Sequence, residues 1–310
     1  MGALAHCLLG FKASPYYSGI IGIVLRTFWR VPSEKTPYTF SFLTNEPLML
    51  INSTQRGILM QLTGNTILIT GGGSGIGRGL AEALHDAGNE VIIAGRRKEA
   101  LDDTVAANPG MHSIVLDIDS PESIRACATS LKSGWPGLNI VLHNAGIMRA
   151  EDLKSGDVSV AEAEITTNLL GPIRLTAELI EHLLAQPHAA ILTVSSGLAF
   201  VPIAPTPTYC ATKAAIHSWT QSLRYQLRDT SVQVTELVPP LVQTKLMGDK
   251  HASNPAGIPL AAFIEETMSI LSVQPDIAEV LVEKVKPQRF AERGDYAAFY
   301  QAFNDRIVSQ

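Results

Sequence analysis

The segment Thr66-Ile67-Leu68-Ile69-Thr70 runs straight into Gly71-Gly72-Gly73-Ser74-Gly75-Ile76-Gly77, and that turn runs straight into Arg78-Gly79-Leu80. Five strand-forming residues lead into a glycine-rich turn. The turn leads into an amphipathic helix carried by Leu80, Ala83, Leu84 and Ala87, which Gly88 stops. A helix N-terminus presents unpaired N–H groups and a partial positive charge, so it favours a pyrophosphate. Gly71, Gly75 and Gly77 let the backbone turn tightly and phosphates come close, with Ser74 and Ile76 completing the turn. The spacing is Gly-x-x-x-Gly-x-Gly rather than the commoner Gly-x-Gly-x-x-Gly. A plain glycine-rich loop before a surface helix is the alternative; the flanking strand and helix favour the nucleotide site.

Outward from this unit, strands and helices alternate. The pattern predicts strands at Val91–Ala94, Ser113–Leu116, Asn139–Leu142, Ala190–Val194 and Val232–Val238. Between them it predicts helices from Arg96 to Ala107, from the Ser120 cap to about Ser133, from Ser159 to Gln186, and from Thr208 to Arg228. This rhythm implies an α/β fold: a doubly wound parallel sheet in three αβα layers, forming a single domain over residues 60–310. Ligands in such folds sit beyond the carboxyl ends of the strands. The turns after Thr70, Ala94, Leu116, Leu142, Val194 and Val238 then share one rim.

Residues 1–59 read differently. Pro15, Pro32, Pro37 and Pro47 break any helical or strand period, and an extension that is poorly ordered or dispensable is expected. Its longest apolar run, Gly19 to Leu25, is far shorter than the ~20 residues a membrane span needs. Arg26 and Arg30 stand where a signal peptidase would need small residues, and His6 stands where a myristoylation signal has Ser or Thr. Lys12, Arg26 and Arg30 all precede the first acid, Glu34, so a transit peptide or membrane contact through this segment stays open.

Apolar residues make up 46% of the 310 and charged residues 17%, which fits a globular protein. A net charge of -5 gives no support to nucleic-acid binding. Cys7, Cys127 and Cys210 are too scattered for a metal site or a disulfide framework, which suits a reducing, cytoplasmic setting.

Two stretches on the rim carry chemistry. After the second strand an NAD site wants an acid for the ribose 2′-hydroxyl; this chain has Gly95, then Arg96 and Arg97. Guanidinium groups grip a 2′-phosphate, so NADP is favoured over NAD, against the plainer reading of two arginines opening a solvated helix. Tyr209 and Lys213 stand four apart near the start of a helix and share a face. A tyrosine exchanging protons near neutrality needs its pKa lowered by about three units, or roughly 4 kcal/mol. One ammonium about 4 Å away supplies that at an effective dielectric near 20. Ser196, at the end of the fifth strand, is placed to hydrogen-bond a substrate oxygen.

Together, Thr70-Gly71-x-x-x-Gly75-x-Gly77, Asn144-Ala145-Gly146, Asn168, Ser196 and Tyr209-x-x-x-Lys213 resemble the short-chain dehydrogenase/reductase family, down to the thirteen positions from Ser196 to Tyr209. The run from Ser196 to Pro202 and the phrase Thr206-Pro207-Thr208-Tyr209 resemble its DltE-like branch. The resemblance implies a Rossmann fold and an oxidoreductase that interconverts a carbonyl and an alcohol by hydride transfer with NADP. It implies that Tyr209 is the general acid/base, that Lys213 lowers its pKa and binds ribose, that Ser196 orients the substrate, and that Asn168 serves a proton relay. It also implies cofactor contacts from Asp117 and Ile118 at the adenine, from Asn144, Ala145 and Gly146, and from Val242 and Thr244. A homodimer is expected by the same likeness.

The chain departs from the family in three places. His143 precedes Asn144, and a buried strand-end histidine is expected there. Pro239-Pro240 replaces the usual Pro-Gly. Residues 275–310 read mainly as helix, with Ile277–Val285 and Tyr296–Phe303 as candidates, instead of a seventh strand. Substrate choice falls to the loop from Pro240 to Pro259, where Leu241, Leu246 and Met247 offer an apolar wall. The rival reading is a dinucleotide-binding regulatory or scaffold protein without chemistry; intact Ser196, Tyr209 and Lys213 argue against it.

Overall fold

Strands Thr66–Thr70 (β1), Glu90–Gly95 (β2), His112–Val115 (β3), Leu138–His143 (β4), Ala189–Val194 (β5), Val232–Val238 (β6) and Glu279–Leu281 (β7) form one sheet in the order β3-β2-β1-β4-β5-β6-β7. Every neighbouring pair is parallel. The structure, a computed structural model, describes residues 61–308; the expectations for residues 1–59 lie outside the described residues.

The central strands β1, β2, β4, β5 and β6 are buried on both faces, which is why they read as unbroken apolar runs, while the edge strand β3 stays partly exposed. In β1, Ile67 and Ile69 feed one core cluster while Leu68 feeds the other, the period-2 alternation of a pleated strand. Helices Gly75–Asp86 (α1), Lys98–Ala107 (α2) and, later, Leu260–Val273 (α8) contribute Leu84, Leu101 and Phe263 to the first cluster. Helices Pro121–Gly134 (α3), Gly171–Leu184 (α5) and Pro207–Leu227 (α6) contribute Ile124, Leu179 and Leu227 to the second. The remaining helices are Ser159–Ile165 (α4), Asp249–Ala252 (α7), Lys286–Arg289 (α9) and Tyr296–Val308 (α10). Among the described residues no helix is long and apolar enough to cross a membrane.

Two expectations are corrected. The helix expected from Ser159 to Gln186 is not continuous: a π turn at Thr166–Leu170 separates α4 from α5 and carries Asn168. Such a turn adds a residue to the helical repeat and re-aims the side chain it carries. A seventh strand does exist, within the stretch expected to be helical from Ile277 to Val285. Alternating burial of Val280 and Val282 marks it, but three residues are too few for the period to be read against neighbouring helix formers. The Tyr296–Phe303 helix is found, extended to Val308.

Candidate active site

The strand order reverses between β1 and β4, so the crevice beyond their carboxyl ends is where a ligand fits this topology. Gly71 and Gly75 hold φ of 69° and 56°, the left-handed region that disfavours side chains. At Gly77 a Cβ would lie 2.3 Å from Asn144 Nδ2 and 2.4 Å from Gly71 O. Asn144 is the brace: its Nδ2 donates to Thr70 O at 3.0 Å, and its backbone N–H donates to Thr70 Oγ1 at 3.0 Å, as does that of Ala145 at 3.1 Å. The first turn of α1 has no acidic residue and no side-chain cap from Ser74, so its N–H groups face the crevice uncompensated. An uncapped helix end and a cradle that a single Cβ would fill both fit a pyrophosphate.

Ser74 Oγ instead accepts a hydrogen bond from Arg97 Nη2 at 3.0 Å, which places that guanidinium against the glycine turn. Arg96 pairs with Asp119 at 3.2 Å and is half-exposed. Asp117 Oδ1 accepts from Asp119 N at 3.2 Å, and Ile118 is buried where a Cβ on Gly171 would meet it at 2.6 Å. Thr244 stands 3.6 Å from the position of a Cβ on Gly75, and Val242 is buried, bridged to Ile258. Ile76 is packed against the core beneath the turn.

Beyond β5 the second group converges. Asn168 is fully buried; its Oδ1 accepts from Ile147 N at 2.8 Å, and its Nδ2 donates to Ile147 O at 2.9 Å and to Thr212 Oγ1 at 3.2 Å. The π turn thus clamps the segment that follows Gly146, where a Cβ would meet Asn168 Oδ1 at 3.2 Å and Lys213 Nζ at 3.7 Å. Lys213 Nζ lies 5.6 Å from the centre of the Tyr209 ring and donates to Val194 O at 2.8 Å. Ser196 stands near enough to the Tyr209 phenol to lower its pKa, and its Oγ accepts from Leu198 N at 3.1 Å. All four side chains are buried.

The electrostatics depart from expectation. Burial pushes the Tyr209 phenol above its ordinary range, and Ser196 opposes this only in part. Burial likewise pulls the Lys213 ammonium down to about 8, with the Glu236 carboxylate opposing. The expected depression of Tyr209 by Lys213 is therefore absent from the protein's own charges: desolvation wins.

Reading the sequence missed several neighbours. Glu164 is buried beside this site, one oxygen accepting from Arg149 N at 2.8 Å and the other without a hydrogen-bond partner among the described residues. Burial raises its pKa. Met148, Ile203 and Cys210 pack with Tyr209, joined by Leu198 and by Phe303 and Ile307 of α10. Asn304 ties that helix down, donating to Pro202 O at 3.0 Å and accepting from Ala204 N at 2.7 Å. Also missed was Glu236, fully buried in Val232–Val238, where a glutamate inside an apolar strand was itself a signal. His143 is buried as expected, bonded to Thr176 Oγ1 at 2.8 Å, and burial takes it down to about 4.

Comparison with known proteins agrees with this architecture. The short chain dehydrogenase family model matches residues 65–255. An uncharacterised oxidoreductase, DltE, of Bacillus subtilis (strain 168) is 40% identical over 250 residues, covering 79% of this chain and 98% of its own. A short chain dehydrogenase from Burkholderia cenocepacia J2315, solved in complex with NADP, superposes with a TM-score of 0.68 at 24% identity, over 78% of this chain and 98% of its own. A short chain dehydrogenase/reductase from Burkholderia phymatum, solved in complex with NAD, gives 0.67 at 20% identity, over 76% and 95%.

Proposed function

The chain belongs to the short-chain dehydrogenase/reductase family, in its DltE-like branch, and on that premise we propose that it is an NADP-dependent carbonyl reductase whose general acid is Tyr209. What supports this reading is the buried group formed by Ser196, Tyr209 and Lys213, with Lys213 Nζ against Gly146, two residues beyond the Asn144 that braces the glycine turn. The bound nicotinamide would supply the hydride. Gly71, Gly75, Gly77 and the N–H groups of α1 would hold the pyrophosphate; Asp117 and Ile118 the adenine; Asn144 to Gly146, Val242 and Thr244 the nicotinamide half. Arg97, braced on Ser74, with Arg96 beside it, would grip the 2′-phosphate that distinguishes NADP. The Burkholderia relatives were solved with NADP in one case and NAD in the other, so this preference rests on the two arginines.

Ser196 would orient the carbonyl oxygen, and Tyr209 would deliver a proton to it. A phenol raised by burial stays protonated at neutral pH, which is the form a general acid needs. The protein's own field therefore favours reduction; in oxidation the phenolate would need the positive charge of the oxidised ring beside it. Lys213 would bind ribose and Asn168 would anchor the relay that returns the proton. The catalytic domain is read as residues 60–310, working as a cytoplasmic homodimer, with residues 1–59 as a separable extension.

The test is NADPH consumption against a panel of aldehydes, ketones and quinones, with NADH in parallel. Turnover with NADPH and a carbonyl supports the reading; tight NADPH binding with no turnover on any member would favour a regulatory role. Fractionating full-length protein beside residues 60–310 tests the extension.

A further inference from the structure

Helix α6 stacks Tyr209, Lys213 and His217 at four-residue spacing along one face. Each meets the sheet differently. Lys213 donates to Val194 O on β5 at 2.8 Å, while His217 Nδ1 bonds Glu236 Oε2 on β6 at 2.8 Å. One turn on, Thr220 bonds Thr193 at 2.8 Å. β5 and β6 pair with Thr193 opposite Glu236 and Val194 opposite Leu237. Glu236 therefore stands on the next strand, one register step from the residue that seats Lys213, with its side chain on the α6 side.

Its carboxylate is 0% exposed, and Oε1 has no hydrogen-bond partner among the described residues. Packing alone does not call for it: an apolar side chain of similar volume would fill the place without the desolvation cost. The charged groups that face it are Lys213 and Arg224 from α6, Glu279 from β7 and Arg289 from α9, with the His217 imidazole of α6 hydrogen-bonded to it. His217, Glu236 and Glu279 converge within 4.8 Å, a spacing a metal ion could bridge. Arg289 already takes Glu279 through two bonds, of 2.6 and 3.0 Å. Arg224 donates to Val234 O and Ala278 O, both at 2.8 Å. Lys213, by contrast, has among the described residues only a neutral carbonyl as its hydrogen-bond acceptor.

We propose that Glu236 is a positioning residue for the reaction: its buried carboxylate, braced by His217, holds the Lys213 ammonium charged on its seat at Val194. The proposal rests on the reading of Lys213 as the cation of the active site. Burial pulls that ammonium down, and Glu236 is the group that pulls it back.

The experiment is a titration of the Lys213 13Cε resonance in full-length protein, assigned by its loss in Lys213→Met, together with the pH profile of NADPH consumption. Glu236→Gln keeps the hydrogen bond to His217 and removes the charge. The expected result is a Lys213 midpoint lower by about one pH unit in the glutamine variant. kcat/KM should fall about tenfold at pH 9 and stay within about twofold at pH 6. Glu236→Asp, which restores the charge, should bring the midpoint back towards that of the unaltered protein. An unshifted midpoint in Glu236→Gln, or a loss of activity equal at every pH, overturns the proposal. If the glutamine variant does not fold, Glu236→Ser, which cannot overfill the site, is read by the same criteria. Full activity in Lys213→Met would instead refute the reading of Lys213, whatever Glu236 does.

Discussion

Lys213 Nζ stands 5.6 Å from the centre of the Tyr209 ring while its hydrogen bond goes to Val194 O at 2.8 Å, so the ammonium is anchored to the sheet beside the phenol. The lysine serves as an anchored positive charge that is present only below its pKa. Burial takes it down to about 8. Below that value it is charged; above it the charge is lost. kcat/KM for carbonyl reduction, which reports the free enzyme, is therefore expected to be level from pH 6 to 7.5 and to fall about tenfold per unit above pH 8. A profile that rises through pH 8 would contradict a cationic role for Lys213.

The cradle is expected to reject a single methyl group. In Gly77→Ala the new Cβ would collide with Asn144 Nδ2 and Gly71 O, at 2.3 and 2.4 Å, and both belong to the braced turn. About 1–3 kcal/mol of stability should be lost, and NADPH affinity more than about 100-fold. Gly134→Ala, with nothing within 4 Å of the new Cβ, should be neutral or slightly stabilising. Urea melts and NADPH fluorescence titrations of the two variants make the comparison.

Removing both guanidinium groups should erase cofactor discrimination. Arg97 reaches Ser74 Oγ at 3.0 Å, whereas Arg96 reaches Asp119 at 3.2 Å. Arg96→Ala with Arg97→Ala is expected to weaken NADPH about 10- to 100-fold and NADH less than about threefold, with Arg97 carrying the larger share. Equal weakening of both cofactors would mean that the arginines do not read the 2′-phosphate.

His143 should govern part of the acid sensitivity. Its folded value is about 4 against an ordinary 6.5, so between these limits the unfolded chain binds a proton that the folded chain refuses. Stability then rises with pH across that window and is lost on acidification from pH 6.5 towards 4, by up to about 3 kcal/mol. His143→Gln, which can still bond Thr176, should show a smaller fall in denaturant midpoint between pH 7 and pH 4.5.

Much of this was legible in residue order because its signals are local. The Thr66–Gly77 unit is contiguous, strand periodicity reports two-sided burial, and Tyr209 and Lys213 are one helical turn apart. What escaped depends on contacts far apart in the chain. The π turn holding Asn168 is set by its clamp on Ile147, 21 positions away. The three-residue β7 exists because β6 offers it an edge. The rise in the Tyr209 pKa was missed because a pairwise charge estimate omits desolvation, which only the packed core reveals. The place of Asn304 beside Pro202 and Ala204 likewise exists only in three dimensions.

The claim that Tyr209 is the proton donor is tested most directly by Tyr209→Phe. The variant loses one hydroxyl from a buried ring and keeps the packing with Met148, Ile203 and Cys210. Steady-state NADPH consumption with the best carbonyl substrate should fall by about 10²- to 10⁴-fold, while NADPH affinity stays within about twofold. Turnover within threefold of the unaltered protein, or a loss of NADPH binding that matches the loss of turnover, would contradict it.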